Sequence, residues 1–319
     1  MNNNKLVSFV IPSYCSQNTI SDVVDEINST MKLLAQYRYE IVLVDDASTD
    51  QTFDIIKNLV SRQSNVRGLR FAKNFGQHAA LMAGIRESKG DYIVCLDDDG
   101  QTPANEVGKL LEKLDEGYDA VYASYEKKEH SFFRNIGSKV NSKMTEIMLD
   151  KPHNLYISSY FAIRRFVADE MARYECSYPY VIGLVLRSTR NICNVPVHHR
   201  SRKTGHSGYT LGKLIKLWMN GFTAFSVKPL RVASLAGALI ALAGFVYFIY
   251  IVVHHFLTPD IPMGWSSIIC TILILGGFIL LVLGLIGEYV GRIYISLNAA
   301  PQYVIRERIV GDNNEEKNK

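Results

Sequence analysis

The 319-residue sequence predicts an α/β fold, a mostly parallel sheet domain followed by a C-terminal two-helix transmembrane hairpin. Three observations point there. Strand-like and helix-like stretches alternate from residue 6 to about residue 125, as expected of parallel strands joined by crossover helices. Near the C-terminus two uncharged runs, Val232–Val253 and Trp265–Gly287, hold 22 and 23 residues. At about 1.5 Å per residue, either run can cross a hydrocarbon core roughly 30 Å thick. Acidic residues, finally, are absent from Cys176 through Pro259, where nine Lys and Arg remain. Such a one-signed surface beside the spans suits an anionic partner near a bilayer.

The elements follow in order. LVSFVIPS (6–13) reads as the first strand, with a helix near 21–35. EIVLVDDAS (40–48) is the second strand, and Thr49 or Asp50 is placed to cap a helix running to about Arg62. VRGLRFA (66–72) is the third strand, followed by a helix near 77–87. DYIVCLDDD (91–99) is the fourth, and a helix near 104–116 precedes YDAVYASY (118–125). Strand ends Pro12-Ser13-Tyr14, Asp45-Asp46 and Asp97-Asp98-Asp99 gather at one sheet edge, where ligands of such sheets bind. No G-x-G-x-x-G follows the first strand, which argues against a dinucleotide-binding oxidoreductase.

Between Tyr209 and Val227 apolar residues recur at helical spacing with Lys213 and Lys216 among them, the pattern of an amphipathic helix on a membrane surface. Lys228 and Arg231 precede the first span, and Arg292, Arg306 and Arg308 follow the second. The link at 254–264 has neither Lys nor Arg, so both termini are expected to face the cytoplasm. The opening residues MNNNKLVSFVIP lack a long apolar stretch, so no signal peptide is expected. Gly284, Gly287 and Gly291 on the second span permit close helix packing, within the hairpin or in a homo-oligomer. The five scattered cysteines, odd in number, include no C-x-x-C pair, which argues against a disulfide or zinc framework. The residues after Ile309 are polar, and their composition predicts a disordered end.

Three carboxylates in a row at 97–99 need a counter-charge. In extended geometry Asp97 and Asp99 share one side and Asp98 takes the other. Two carboxylates on one side suit a hard divalent cation, Mg²⁺ or Mn²⁺, completed by ligand phosphates. A solvated turn capping the next helix accounts for the triplet equally well.

The motifs IPSY (11–14), VDDASTD (44–50), KNFGQHAALMAG (73–84) and LDDDGQTP (96–103) occur in that order. RKTGHSGY (202–209), LWMNGFTAFSVKPLR (217–231) and GLIGEYVGRIY (284–294) follow. Together they resemble the inverting family 2 glycosyltransferases of GT-A (Rossmann-like) fold, and within them the polyprenyl-phosphate type. The likeness is to dolichol-phosphate mannose synthases and bacterial undecaprenyl-phosphate glucosyltransferases, and it covers roughly residues 5–308. It implies a metal-dependent hexosyltransferase that moves a sugar from a nucleoside diphosphate sugar, UDP-linked in the bacterial branch, to undecaprenyl phosphate for cell-envelope glycans.

The resemblance also assigns residues. Pro12, Tyr14, Asp45, Asp46, Lys73 and Asp98 fall where the family binds the nucleotide sugar. Asp97 and Asp99 match its D-x-D, which carries the metal, and Gln101 joins the metal shell. Arg200, Arg202, Ser207 and Tyr209 lie in the segment that meets acceptor or donor phosphate, with Arg202 counted among the catalytic residues. Expected partners are the donor, the polyprenyl phosphate and an anionic lipid bilayer, with no nucleic acid. The expected location is the inner (cytoplasmic) membrane, with the catalytic domain inside. The implied organisation is a GT-A catalytic domain at 1–208, an interfacial helix region at 209–228, the hairpin at 229–295 and a cytoplasmic tail at 296–319.

Two departures stand out. Ser159, in SSYFAIRR (158–165), replaces an Asp of many polyprenyl-phosphate members, and Ala300 stands where relatives commonly have Arg. Ser159 is the best support for a competing reading, a catalytically inactive membrane-anchored nucleotide-sugar-binding or scaffolding protein.

Overall fold

The computed structural model describes residues 4–125, 146, 151–153, 155–198, 228–257, 264–298 and 301–311. The chain divides into two compact units, Met1–Lys213 with Ala299–Lys319, and Leu214–Asn298.

The first unit is built on an eight-stranded sheet. Its elements are β1 (Leu6–Ser13), α1 (Ile20–Leu33), β2 (Arg38–Asp45), α2 (Thr52–Arg62), β3 (Val66–Phe71), α3 (Gln77–Glu87) and β4 (Tyr92–Cys95). A short 3₁₀ turn (Ala104–Glu106), α4 (Val107–Asp115), β5 (Ala120–Tyr125), β6 (Phe161–Arg164), α5 (Arg165–Ala172), α6 (Val181–Ser188) and β7 (Ile192–Val197) follow. The last strand, β8 (Ile305–Val310), comes after the second unit. The sheet order is β7-β5-β6-β4-β1-β2-β3-β8, with β6 and β8 antiparallel to their neighbours and the rest parallel.

Both faces of the central strands are covered, and so these strands are apolar at nearly every position. Phe9, Ile11, Ile41, Leu43 and Val94 face one core with α1, α2 and α4, whereas Val42 and Val44 face a second core under α3. On α1, Ile20, Val23, Val24, Ile27 and Met31 form the buried stripe at helical spacing. Burying each such side chain contributes roughly 1.5–3 kcal/mol. On α3 the helix lies so close to the sheet that a Cβ on Gly84 would meet Val10 Cγ1 at 2.3 Å and Val44 Cγ2 at 3.3 Å.

Two boundaries differ from expectation. Helix α2 starts at Thr52, because Asp50 Oδ1 accepts from the Thr52 N–H at 3.1 Å and closes the preceding turn. The segment read as a tail contributes β8, which pairs with β3. Gln302 is buried and its Nε2 donates to the carbonyls of Tyr174 (2.6 Å) and Cys176 (2.9 Å). The Tyr303 ring stacks on Phe71 at 5.1 Å, fixing the chain as it enters β8. Alternation in IRERIV is weak, so only the pairing with β3 reveals this strand.

The second unit holds α7 (Lys228–Leu257) and α8 (Trp265–Leu297). Each contains a stretch long and apolar enough to cross a membrane, Leu230–Tyr247 and Ile274–Ile295. Leu242 is 60% exposed and Leu280 70%, a surface unsuited to water and suited to lipid. Close approach of the two helices falls at Gly237, where a Cβ would sit 3.2 Å from Phe278 Cε1. A Cβ on Gly284, Gly287 or Gly291 meets no atom of the described residues within 4 Å. The amphipathic stretch at 209–227 lies outside the described residues.

Candidate active site

Strand order reverses at β1, which has β2 on one side and β4 on the other. The loops leaving the carboxyl ends of β1 and β4 therefore part and leave a crevice, the usual ligand position of such sheets. The sequence places Ser13-Tyr14-Cys15-Ser16 on one lip and Asp97-Asp98-Asp99 on the other. Pro12 is buried within β1, paired with Val44, whereas the Tyr14 side chain is 52% exposed.

The β1 and β2 loops are tied together. Asp46 N donates to Ser13 O at 2.9 Å, and Cys15 N to Ser48 Oγ at 2.9 Å. Asp45 Oδ1 accepts from Ser48 N at 3.1 Å, and its Oδ2 pairs with Arg70 Nε at 3.3 Å. Cys15 (φ 55°) and Ala47 (φ 57°) both adopt left-handed backbone, a strain of order 1 kcal/mol each that these bonds hold in place.

Asp46 is buried and accepts from two backbone donors, Phe75 N (2.7 Å) and Gly76 N (2.8 Å). Burial raises its pKa, and the two bonds oppose that rise. Gly76 has φ 91°, a conformation only glycine adopts freely, and it turns both N–H groups toward the carboxylate. Asp46 thus fixes the KNFG loop and the start of α3. Lys73 on that loop is exposed, with Nζ 5.1 Å from the centroid of the Phe75 ring.

At the acidic triplet the extended geometry ends early. Strand β4 stops at Cys95, and Gly100 (φ 71°) closes a turn through Asp98 and Asp99. Asp98 Oδ2 accepts from Tyr14 N at 3.1 Å and from Ser16 Oγ, which bridges the crevice. Burial pushes the Asp98 carboxyl up to about 6, against the pull of these two bonds. Asp97 is bonded differently, by Gln77 Nε2 on Oδ1 at 2.8 Å and by Ser159 Oγ on Oδ2. Asp99 Oδ1 accepts from Gln101 N at 3.0 Å.

These residues fit a divalent metal of the hard type. No group of three or more His, Cys, Asp or Glu able to hold a metal occurs among the described residues. A site with one or two carboxylates, completed by ligand phosphates and water, needs no third protein ligand. Asp97 and Asp99 meet that description.

Sequence reasoning named neither Gln77 nor Tyr125, and it treated Ser159 only as a loss. Gln77 sits inside the KNFGQH motif, where a single Gln has no distinctive pattern. Tyr125 ends β5 beside Asp97 and Asp99, and burial first, then the Asp97 carboxylate, raises its pKa. Its ring meets Tyr156 edge to face at 6.4 Å. Arg200, Arg202, Ser207 and Tyr209, the expected phosphate-binding segment, lie outside the described residues, as does Ala300.

His78, next to Gln77, packs edge-on against Tyr180 at 5.2 Å, and its buried Nδ1 has no hydrogen-bond partner among the described residues. Burial lowers its pKa to about 4. A depressed pKa in a base means that the folded state binds fewer protons than the unfolded one below pH 6.5. Stability present above pH 6.5 is therefore lost as pH falls toward 4, by up to about 3 kcal/mol. Thermal unfolding of the detergent-solubilised chain across pH 7 to 4 is expected to show this loss, and His78→Phe to flatten it.

Comparison with known proteins gives matches along the whole chain. The glycosyl transferase family 2 model matches residues 8–172, and the GtrB C-terminal hairpin model matches residues 228–293. The chain is 33% identical over 317 residues to the undecaprenyl-phosphate 4-deoxy-4-formamido-L-arabinose transferase of Yersinia enterocolitica, covering 98% of this chain and 96% of that one. It is also 33% identical over 301 residues to the uncharacterized glycosyltransferase YkcC of Bacillus subtilis, covering 94% and 93% of the two. Its fold is similar to mannosyl-3-phosphoglycerate synthase from Rubrobacter xylanophilus, at a TM-score of 0.52 and 16% identity over 71% of this chain and 74% of that one.

Proposed function

The chain belongs to glycosyl transferase family 2 and ends in a GtrB-type hairpin, and on that premise we propose that it moves a sugar from a nucleoside diphosphate sugar to a polyprenyl phosphate. One observation carries the reading. A transferase onto undecaprenyl phosphate matches this chain over nearly its full length, hairpin included.

The chemistry is a single displacement. A phosphate oxygen of the acceptor forms a bond to the anomeric carbon while the bond from that carbon to the donor diphosphate breaks. The bonding electrons leave with the nucleoside diphosphate, and the anomeric configuration inverts. A phosphate monoester has a second pKa near 6, by analogy with phosphorylated side chains, so much of the acceptor is dianionic at neutral pH. It then attacks without losing a proton, and a protein general base, usually worth about 10²–10⁴-fold, is dispensable.

The chain's own groups supply positioning. Asp98 joins the β1 and β4 loops, and Asp46 holds the 73–76 loop, so the nucleotide meets a preformed crevice. Pro12, Tyr14, Asp45 and Lys73 belong to its nucleotide side. Asp97 and Asp99, with Gln101, would hold Mg²⁺ or Mn²⁺, whose charge when bound offsets the diphosphate. Arg200, Arg202, Ser207 and Tyr209 would take the acceptor phosphate. Placing that phosphate at the bilayer lets the lipid tail remain in hydrocarbon.

The chain leaves the soluble unit before the hairpin and re-enters the same sheet at β8, which suits two crossings with both ends on one side. We place that side in the cytoplasm, from the Lys and Arg flanking the spans. Incubating the chain with undecaprenyl phosphate and a panel of nucleotide sugars, UDP-linked ones first, should yield a lipid-linked sugar. EDTA should abolish the product, and Mg²⁺ or Mn²⁺ should restore it. UDP binding without product from any donor would favour the binding-only reading.

A further inference from the structure

Asp97 is gripped from two directions. Strands β4 and β6 run antiparallel, and their last pair at this edge is Cys95 with Phe161. Two residues further on each strand, the same register sets Asp97 opposite Ser159. The Ser159 hydroxyl donates to Asp97 Oδ2 across that gap. From the other flank α3 brings Gln77, whose Nε2 donates to Asp97 Oδ1 at 2.8 Å. Gln77 is the first residue of its helix, and the Asp46 bonds to Phe75 N and Gly76 N fix the turn that delivers it.

We propose that Gln77 and Ser159 are positioning residues for Asp97, two neutral donors that fix its carboxylate for metal and diphosphate binding. The inference rests on the reading of Asp97 as a metal ligand. A carboxylate on a strand end can rotate about two side-chain bonds, and a donor on each oxygen holds both. Groups that orient a metal ligand commonly change metal affinity 10–100-fold when removed. Neutrality matters as well. Asp97 and Asp99 together offset one divalent cation, and the diphosphate then brings further negative charge. In this chain, where Asp97 Oδ2 takes its donor from Ser159, a carboxylate at 159 would remove that donor, strengthen the hold on the cation alone and add negative charge beside the diphosphate. Ser159 is thus a built part of the donor site, not a vacancy left by a lost base.

The test is Mn²⁺ binding to the full chain in detergent, followed by electron paramagnetic resonance with and without UDP. Ser159→Ala and Gln77→Ala should each weaken Mn²⁺ binding in the presence of UDP by about 10-fold. Ser159→Thr, which keeps the hydroxyl, should restore it. Ser159→Asp should bind Mn²⁺ more tightly without UDP and bind UDP more weakly with Mn²⁺ present. A merely structural role would not produce that reversal of sign. Unchanged Mn²⁺ and UDP binding in both alanine variants would overturn the proposal. Asp97→Ala separates it from the underlying reading: Mn²⁺–UDP binding retained there defeats the metal assignment itself. Binding lost in Asp97→Ala but intact in both alanine variants defeats the positioning role alone.

Discussion

Asp97→Ala is expected to reduce sugar transfer by a factor on the order of 10²–10³ or more, the scale seen when one preorganised electrostatic group leaves a reacting centre. The loss should appear in Mn²⁺-dependent UDP binding too, because Asp97 acts on donor binding as well as on the barrier. Folding should be spared. Asp97 is partly exposed at a strand end, and the groups it leaves behind, Gln77 and Ser159, are exposed and turn to water. Asp99→Ala should behave alike, since its bond to Gln101 N is local to the turn. Transfer assays beside thermal unfolding check both variants, and full activity in both would defeat the site.

Asp46→Ala should add a large loss of stability to any loss of donor binding. It leaves the Phe75 and Gly76 N–H groups without their acceptor. Each unsatisfied, partly buried donor costs about 1–3 kcal/mol, so the pair costs roughly 2–6 kcal/mol. For a unit of this size, at about 2–4 °C per kcal/mol, that lowers the melting temperature by roughly 4–24 °C. Asp46→Asn keeps one acceptor and removes a buried charge, and should lose less. Transfer should fall in both variants, because the freed loop also carries Lys73 and delivers Gln77 to Asp97. Differential scanning fluorimetry of the two variants orders them, and equal melting temperatures would refute the anchor.

The two variants mark how much of the site can be read without coordinates. The acidic triplet is visible in the sequence because three adjacent carboxylates after an apolar strand are rare and need a reason. Alternation would divide it into Asp97 and Asp99 on one hand and Asp98 on the other, but β4 stops at Cys95 and a turn takes Asp98 and Asp99, so the strand does not set that division. Nor does the sequence show what Asp98 touches. Its partners Tyr14 and Ser16 lie 84 and 82 residues away, and only the adjacency of β1 and β4 brings them together. Asp46 is legible as a nucleotide-side residue by resemblance, but its second role, accepting from the Phe75 and Gly76 N–H groups, is not, because backbone donors occur in every sequence.

The sequence by itself determined the alternating α/β domain, the two apolar spans and the edge where carboxylates collect. These depend on local periodicity and on uninterrupted apolar length, both carried by neighbouring residues. The tertiary structure decided that β8 closes the sheet after the hairpin, that Asp46 anchors the loop before α3, and that Ser159 and Gln77 meet on Asp97. Each of these depends on register between strands, or on a helix start set against a strand end. Residues 97 and 159 are 62 positions apart, and Ser159 gains its meaning only when β6 turns antiparallel beside β4.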